Sequence, residues 1–89
     1  MFNKKKRMLK LAKELRAYAD KEDNYGLLFR KLNNLRCVTG GGVTRSGYVF
    51  VDLTMDDGYT VSASECFESA ALQTAMKNVA DRLEERYGR

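Results

Sequence analysis

Eighty-nine residues with an apolar share of 44% make one small domain, which buries only about 60–65% of the surface its unfolded chain exposes and has no room for a deep active-site cleft of ordinary size. No stretch approaches the roughly 18 consecutive apolar residues of a membrane span, and Met1-Phe2-Asn3-Lys4 lacks the unbroken apolar run of a secretory signal, so a cytoplasmic protein without membrane contact is expected. The net charge of +4 is polarised: residues 1–36 carry eleven Lys/Arg and four Asp/Glu, hence +7, and residues 37–89 carry five and eight, hence −3, a division that points to a polyanion partner or to head-to-tail contact between copies.

Asn3 to about Glu22 has the period of a helix. Met8, Leu11, Ala12, Leu15, Tyr18 and Ala19 recur at three- and four-residue spacing and give one apolar face. Lys6, Lys10 and Lys13 form a stripe on the other side, with Lys4, Lys5, Arg7 and Arg16 close by. Four consecutive cations, Lys4 to Arg7, stand in the first turn, where the positive end of the helix dipole disfavours each by about 0.3–1 kcal/mol. A stretch placed against its own dipole is better explained by an anionic partner than by stability, although a solvated helix end that keeps the chain soluble gives the same pattern.

Asp20 to Asn24 is a polar break, and Tyr25-Gly26 opens a short second helix through Leu27, Leu28, Phe29, Leu32 and Leu35, or else a continuation of the first past a kink. Leu28, Leu32 and Leu35 are expected in the core, which leaves Leu27 or Phe29 to cover a sheet edge or a second subunit. Arg30 and Lys31 continue the basic character. Arg36-Cys37-Val38-Thr39 reads as a short first strand. Gly40-Gly41-Gly42 then reads as a flexible connection into Val43-Thr44-Arg45-Ser46-Gly47; neither a P-loop nor a dinucleotide fingerprint fits its spacing.

Tyr48 to Ala63 is the only stretch with a clear period of two. Val49, Val51, Leu53 and Met55 fall on one face and Tyr48, Phe50, Asp52 and Thr54 on the other. Asp56-Asp57-Gly58 supplies the turn, and Tyr59, Val61 and Ala63 resume the alternation, so a hairpin is expected. Ser62 or Ser64 can cap a final helix with Glu65 and Glu68 near its first turn. That helix runs to about Tyr87, with Ala71, Leu72, Ala75, Met76, Val79, Ala80, Leu83 and Tyr87 as its apolar stripe and Gln73, Lys77, Asp81, Glu84 and Glu85 toward water. The expected fold is α+β: a basic N-terminal helix with a short second helix, a three-stranded antiparallel sheet, and a C-terminal helix packed on it.

Helix, three strands, helix, with Tyr48-Val49-Phe50-Val51-Asp52-Leu53 through Ala70-Ala71 as its residue-level part, resembles the double-stranded RNA-binding domain. The resemblance implies phosphate and minor-groove contacts by the first helix, and by the loop around Arg45. It also implies a lysine cluster opening the final helix, where this chain has Glu65-Cys66-Phe67-Glu68; that departure removes the family's main phosphate clamp. Small size, a crowded basic start and lack of catalytic machinery are similar to accessory proteins encoded by bacteriophages.

Histidine is absent, which removes the commonest general base and metal ligand, and without Cys-x-x-Cys spacing no zinc site is expected. Cys37 and Cys66 are expected as reduced, packed thiols, or as one disulfide. Asp56 and Asp57 serve the turn. No enzyme and no cofactor are therefore expected. The leading expectation is a non-catalytic RNA-binding accessory protein, a homodimer, whose contacts are Lys4, Lys5, Lys6, Arg7, Lys10, Lys13, Arg16, Arg30, Lys31 and Arg45. The alternative is a protein-binding inhibitor or adaptor, a phage-type factor that blocks a host enzyme, toxin or defence complex through Tyr25, Phe29, Tyr48 and Phe50.

Overall fold

The computed structural model describes residues 3–35, 38–46, 48–55, 58–65 and 68–88, with 38–46, 48 and 49 described by backbone alone. The chain is α+β, as expected. Its elements are α1 (Lys4–Lys21), α2 (Tyr25–Asn33), β1 (Val38–Ser46), β2 (Tyr48–Met55), β3 (Thr60–Glu65) and α3 (Glu68–Tyr87).

Each of the first two helices starts on its own asparagine. The Asn3 side chain accepts from the Lys6 amide at 3.0 Å and the Asn24 side chain from the Leu27 amide at 3.1 Å, satisfying donors that a helix start leaves unpaired. Between them Glu22 turns extended while its N–H still reaches the Tyr18 carbonyl at 2.9 Å. Two separately capped helices, not one kinked helix, follow from this.

The hairpin closes on Met55. Its carbonyl accepts from Gly58 N at 2.9 Å and its N–H donates to the Tyr59 carbonyl at 2.8 Å. Gly58 has φ of 87°, the left-handed region that a short hairpin loop needs and that side chains disfavour. Asp56 and Asp57, with Cys37, Cys66 and Arg36, lie outside the described residues.

The strands run antiparallel in the order β1-β2-β3. Val51, Leu53 and Met55 of β2 and Val61 and Ala63 of β3 are buried, whereas Phe50, Asp52, Thr60, Ser62 and Ser64 are exposed, so the period of two divides core from solvent. Two expectations are corrected here. Gly40 to Gly42 are not a loop but lie inside β1, paired with Thr54, Leu53 and Asp52 across a register shift between Val38 and Gly40; ladder bonds to β2 outweigh the weak strand preference of glycine. Ser62 and Ser64 do not cap α3, and Glu65 is not in its first turn, because β3 carries its alternation on through Glu65.

Helix α3 is the centre of the packing. It lies against α1, α2, β2 and β3, and Ala71, Leu72, Ala75, Met76, Val79, Ala80 and Leu83 are all buried. Around it the core takes Ala12, Leu15 and Ala19 from α1 and Leu28 and Leu32 from α2. Leu27 and Phe29 lie on opposite flanks of α2, both exposed at 40% and 37%.

Replacing Gly58 by alanine is expected to lower stability by about 1–2 kcal/mol, because a Cβ there meets no neighbour and only the backbone conformation resists it. Urea unfolding measures this, and Gly58→Asn should cost less than Gly58→Ala.

Candidate nucleic-acid interface

The seam between α1 and α3 decides which cations face outward. The two helices run antiparallel: Arg16 pairs with Asp81 and with Glu84 at 2.5 Å, and Lys77 pairs with Asp20 at 2.8 Å. Further along, the Gln73 side-chain amide donates to the carbonyls of Ala19 at 3.0 Å and Glu22 at 2.6 Å. Helix ends leave carbonyls without intrahelical donors, so Gln73 of α3 supplies donors to the end of α1. Ala12, Ala19 and Ala80, all buried, let the backbones approach.

Lys77 and Asp81 are exposed, as expected, but Gln73 and Glu84 are half-buried and depart from the expected row toward water. Every third or fourth residue of α3 on that side meets α1. The seam also changes the role of Arg16. Held by two carboxylates, its guanidinium has its pKa raised, first by the hydrogen bond to Glu84, with burial opposing and Asp81 adding. Arg16 is thus a seam residue.

Lys6, Lys10 and Lys13 stand on the solvent side of α1, away from its buried Ala12, Leu15 and Ala19 and next to the seam residues Arg16 and Asp20. All three are exposed, and none makes an ion pair among the described residues. From Lys6 to Lys13 the helix rises about 10 Å, so the three ammonium groups form a short ladder along one line. Among the described residues, Lys6, Leu9, Lys10 and Lys13 line an open hollow of about 310 Å³, with half-buried Leu9 as an apolar floor between charges.

The remaining cations are scattered around this ladder. Lys5 and Arg7 are exposed at the start of α1, and the Lys4 ammonium stands 5.8 Å from the centre of the Tyr87 ring. Arg30 is exposed on α2, whereas Lys31 is half-buried with its ammonium 5.3 Å from the Tyr18 ring. The side chain of Arg45 lies outside the described residues, as does that of Tyr48.

The expected aromatic contact surface is not gathered into one patch. Tyr25 and Phe29 stack along α2 with ring centres 5.9 Å apart, on an element whose Leu28 and Leu32 enter the core. Phe50 stands on the other face of the sheet, where Asp52 accepts a 2.7 Å hydrogen bond from the Ser62 hydroxyl.

A second surface went unnoticed in the sequence. Tyr59, Thr60, Val61 and Ser62 of β3, with Asn78, Asp81, Arg82 and Glu85 of α3, line an open groove of about 180 Å³. The Arg82 guanidinium lies 4.2 Å from the Tyr59 ring centre, and the Asn78 amide donates to the Ser62 carbonyl at 2.8 Å. The pattern D-R-x-x-E one turn after an asparagine was its only sequence trace. Among the described residues no group of acidic or thiol side chains could hold a metal ion, and no helix is long and apolar enough to cross a membrane.

No family model, curated protein or solved structure matches the chain.

Gln73→Ala is expected to cost about 1–2 kcal/mol by leaving partly buried carbonyls without donors, whereas Lys77→Ala, which breaks one exposed pair, should cost less than about 1 kcal/mol. Paired urea titrations give the comparison.

Proposed function

We propose that the protein is a non-catalytic RNA-binding protein whose α1 grips the phosphate backbone, acting as a homodimer. The observation that carries this reading is the Lys6, Lys10 and Lys13 ladder: three exposed ammonium groups on one line, free of ion pairs among the described residues, on a helix whose buried side packs against α3. Cations with intramolecular partners are poor phosphate ligands, since binding would first break those contacts. Lys6, in the first turn against the dipole, gains further from a polyanion.

The double-stranded RNA-binding domain that the sequence resembles uses its first helix on RNA, and α1 takes that part in this reading, although here a second helix, α2, stands between it and the strands. Arg30 extends the basic surface, and Lys5, Arg7, Lys31 and Arg45 are secondary contributors. Arg16 belongs to the seam instead. Three phosphates neutralised by the ladder set the expected salt response, a slope of log affinity against log salt near −2 to −3.

The test is a gel shift with mixed-sequence RNA and DNA at two salt concentrations, comparing the wild type with the Lys6→Glu, Lys10→Glu, Lys13→Glu triple variant. Binding should weaken steeply with salt and vanish in the variant, which keeps its helix because Lys6→Glu near the N-terminus suits the dipole. Each single lysine-to-alanine change should reduce the salt slope by roughly 0.7–0.9. A folded wild type that binds neither polymer at low salt sinks the reading.

One observation favours a second reading, that of a protein-binding inhibitor or adaptor. Leu27 and Phe29 are both exposed on α2, and the Phe29 ring stacks on half-buried Tyr25 to give an aromatic surface that a partner protein could cover. Under that reading Phe29→Ser and Phe50→Ser abolish partner capture while leaving the α1 triple variant active.

A further inference from the structure

The free edge of β3 is built to take another strand. Met55 donates to the Tyr59 carbonyl, so these two residues form a hydrogen-bonded pair. With the register Leu53 to Val61 and Val51 to Ala63, alternation directs the N–H and C=O groups of Thr60, Ser62 and Ser64 away from β2. Independent of that parity argument, the Ser62 carbonyl accepts from Asn78 of α3, a bond possible only for an outward carbonyl. No other described strand pairs with this edge.

Most of the usual guards against pairing are missing from the middle of this edge. From Thr60 to Ser64 there is no proline, no lysine and no register shift, features by which natural edges avoid association. Asn78 is the one device in the way: its amide occupies the position an incoming strand's N–H would take.

We propose that β3 pairs antiparallel with β3 of a second copy about a two-fold axis at Ser62, joining the two sheets into one. Thr60 then lies opposite Ser64 of the other copy and Ser62 opposite its own image, so these outer-face pairs are small, neutral and hydroxyl-bearing. Such Thr–Ser pairs are favourable across strands, and no like charges meet. On the core side Val61 faces Ala63 of the second copy, and both are apolar. The flank of α3 above the edge carries both signs, Arg82 with Asp81 and Glu85, which its symmetric image meets without a one-sided charge. Pairing fills the β3–α3 groove and displaces the Asn78 amide from the Ser62 carbonyl.

This inference rests on the dimeric form of the proposed function and supplies its interface. Mass, not RNA binding, reads it, so its failure and the failure of RNA binding are told apart. Sedimentation equilibrium of the full chain over a range of concentrations should show a reversible dimer. Asn78→Ala removes a competing donor from each copy and should tighten the dimer by about tenfold. Ser62→Pro deletes the central outward N–H and should give a monomer with unchanged circular dichroism. Should Ser62→Pro fail to fold, Ser62→Lys places two cations at the axis and should likewise weaken the dimer. Wild type and Asn78→Ala that both stay monomeric at the highest attainable concentration overturn the proposal, and so does a dimer indifferent to both Ser62 variants.

Discussion

The contact on which the rest depends is the seam of α1 against α3, and within it the two hydrogen bonds from Gln73 to the last turn of α1. A helix of 18 residues whose first turn holds four cations is a poor helix in isolation. It gains its order from tertiary contacts: Ala12, Leu15 and Ala19 bury against α3, and Gln73 supplies donors where the helix itself has none left. Orientation follows from the same contact. Once Arg16, Asp20 and the Ala19 carbonyl are tied to α3, rotation about the α1 axis is no longer free, and the faces that meet core and water are set.

Electrostatics then divides the cations into two kinds. Arg16 has two carboxylate partners, while Lys6, Lys10 and Lys13 have none among the described residues. All four belong to one basic helix, and composition does not distinguish them. Their surroundings do: Arg16 sits at the border between seam and solvent, where Asp81 and Glu84 from α3 arrive, and no carboxylate among the described residues pairs with the ladder. Of the cations that give residues 1–36 their charge of +7, Arg16 is thus partly neutralised within the fold by Asp81 and Glu84, whereas the ladder is available to a partner.

Periodicity made much of the fold legible. The alternation from Val51 to Met55 and the stripe from Ala71 to Leu83 each predicted the buried residues correctly, because a core enforces its period on the elements that bound it. Where a second signal competed, the reading failed. Triglycine carries the chemistry of a loop, yet β2 offers a ladder that draws it into a strand. Ser62, Ser64 and Glu65 carry the chemistry of a helix start, yet they also continue the alternation of Val61 and Ala63, and the sheet prevails. Gln73 and Glu84, half-buried where a row toward water is expected, differ for another reason. Polar spacing of three and four marks a face that is not apolar core, and a face toward water and a face toward another helix's carbonyls and charges look alike in one sequence. The ladder of Lys6, Lys10 and Lys13 was legible; the removal of Arg16 from it was not, since that depends on residues 65 and 68 positions away.

Two side-chain amides on α3 do similar chemistry in dissimilar places. Gln73 reaches carbonyls at the end of α1, in a part-buried setting where no other donor arrives, so its bonds are fixed parts of the fold. Asn78 reaches one carbonyl on an exposed strand edge, where water or another strand can take its place with little loss. The two lie on different flanks of α3, the first toward α1 and the second toward β3. A partner strand that displaces Asn78 thus approaches from the side of α3 away from α1, and so from the side away from the lysine ladder that α1 carries. Strand pairing and phosphate binding use separate surfaces of the same small chain, so a dimer formed through β3 presents two ladders, each still open to a polyanion.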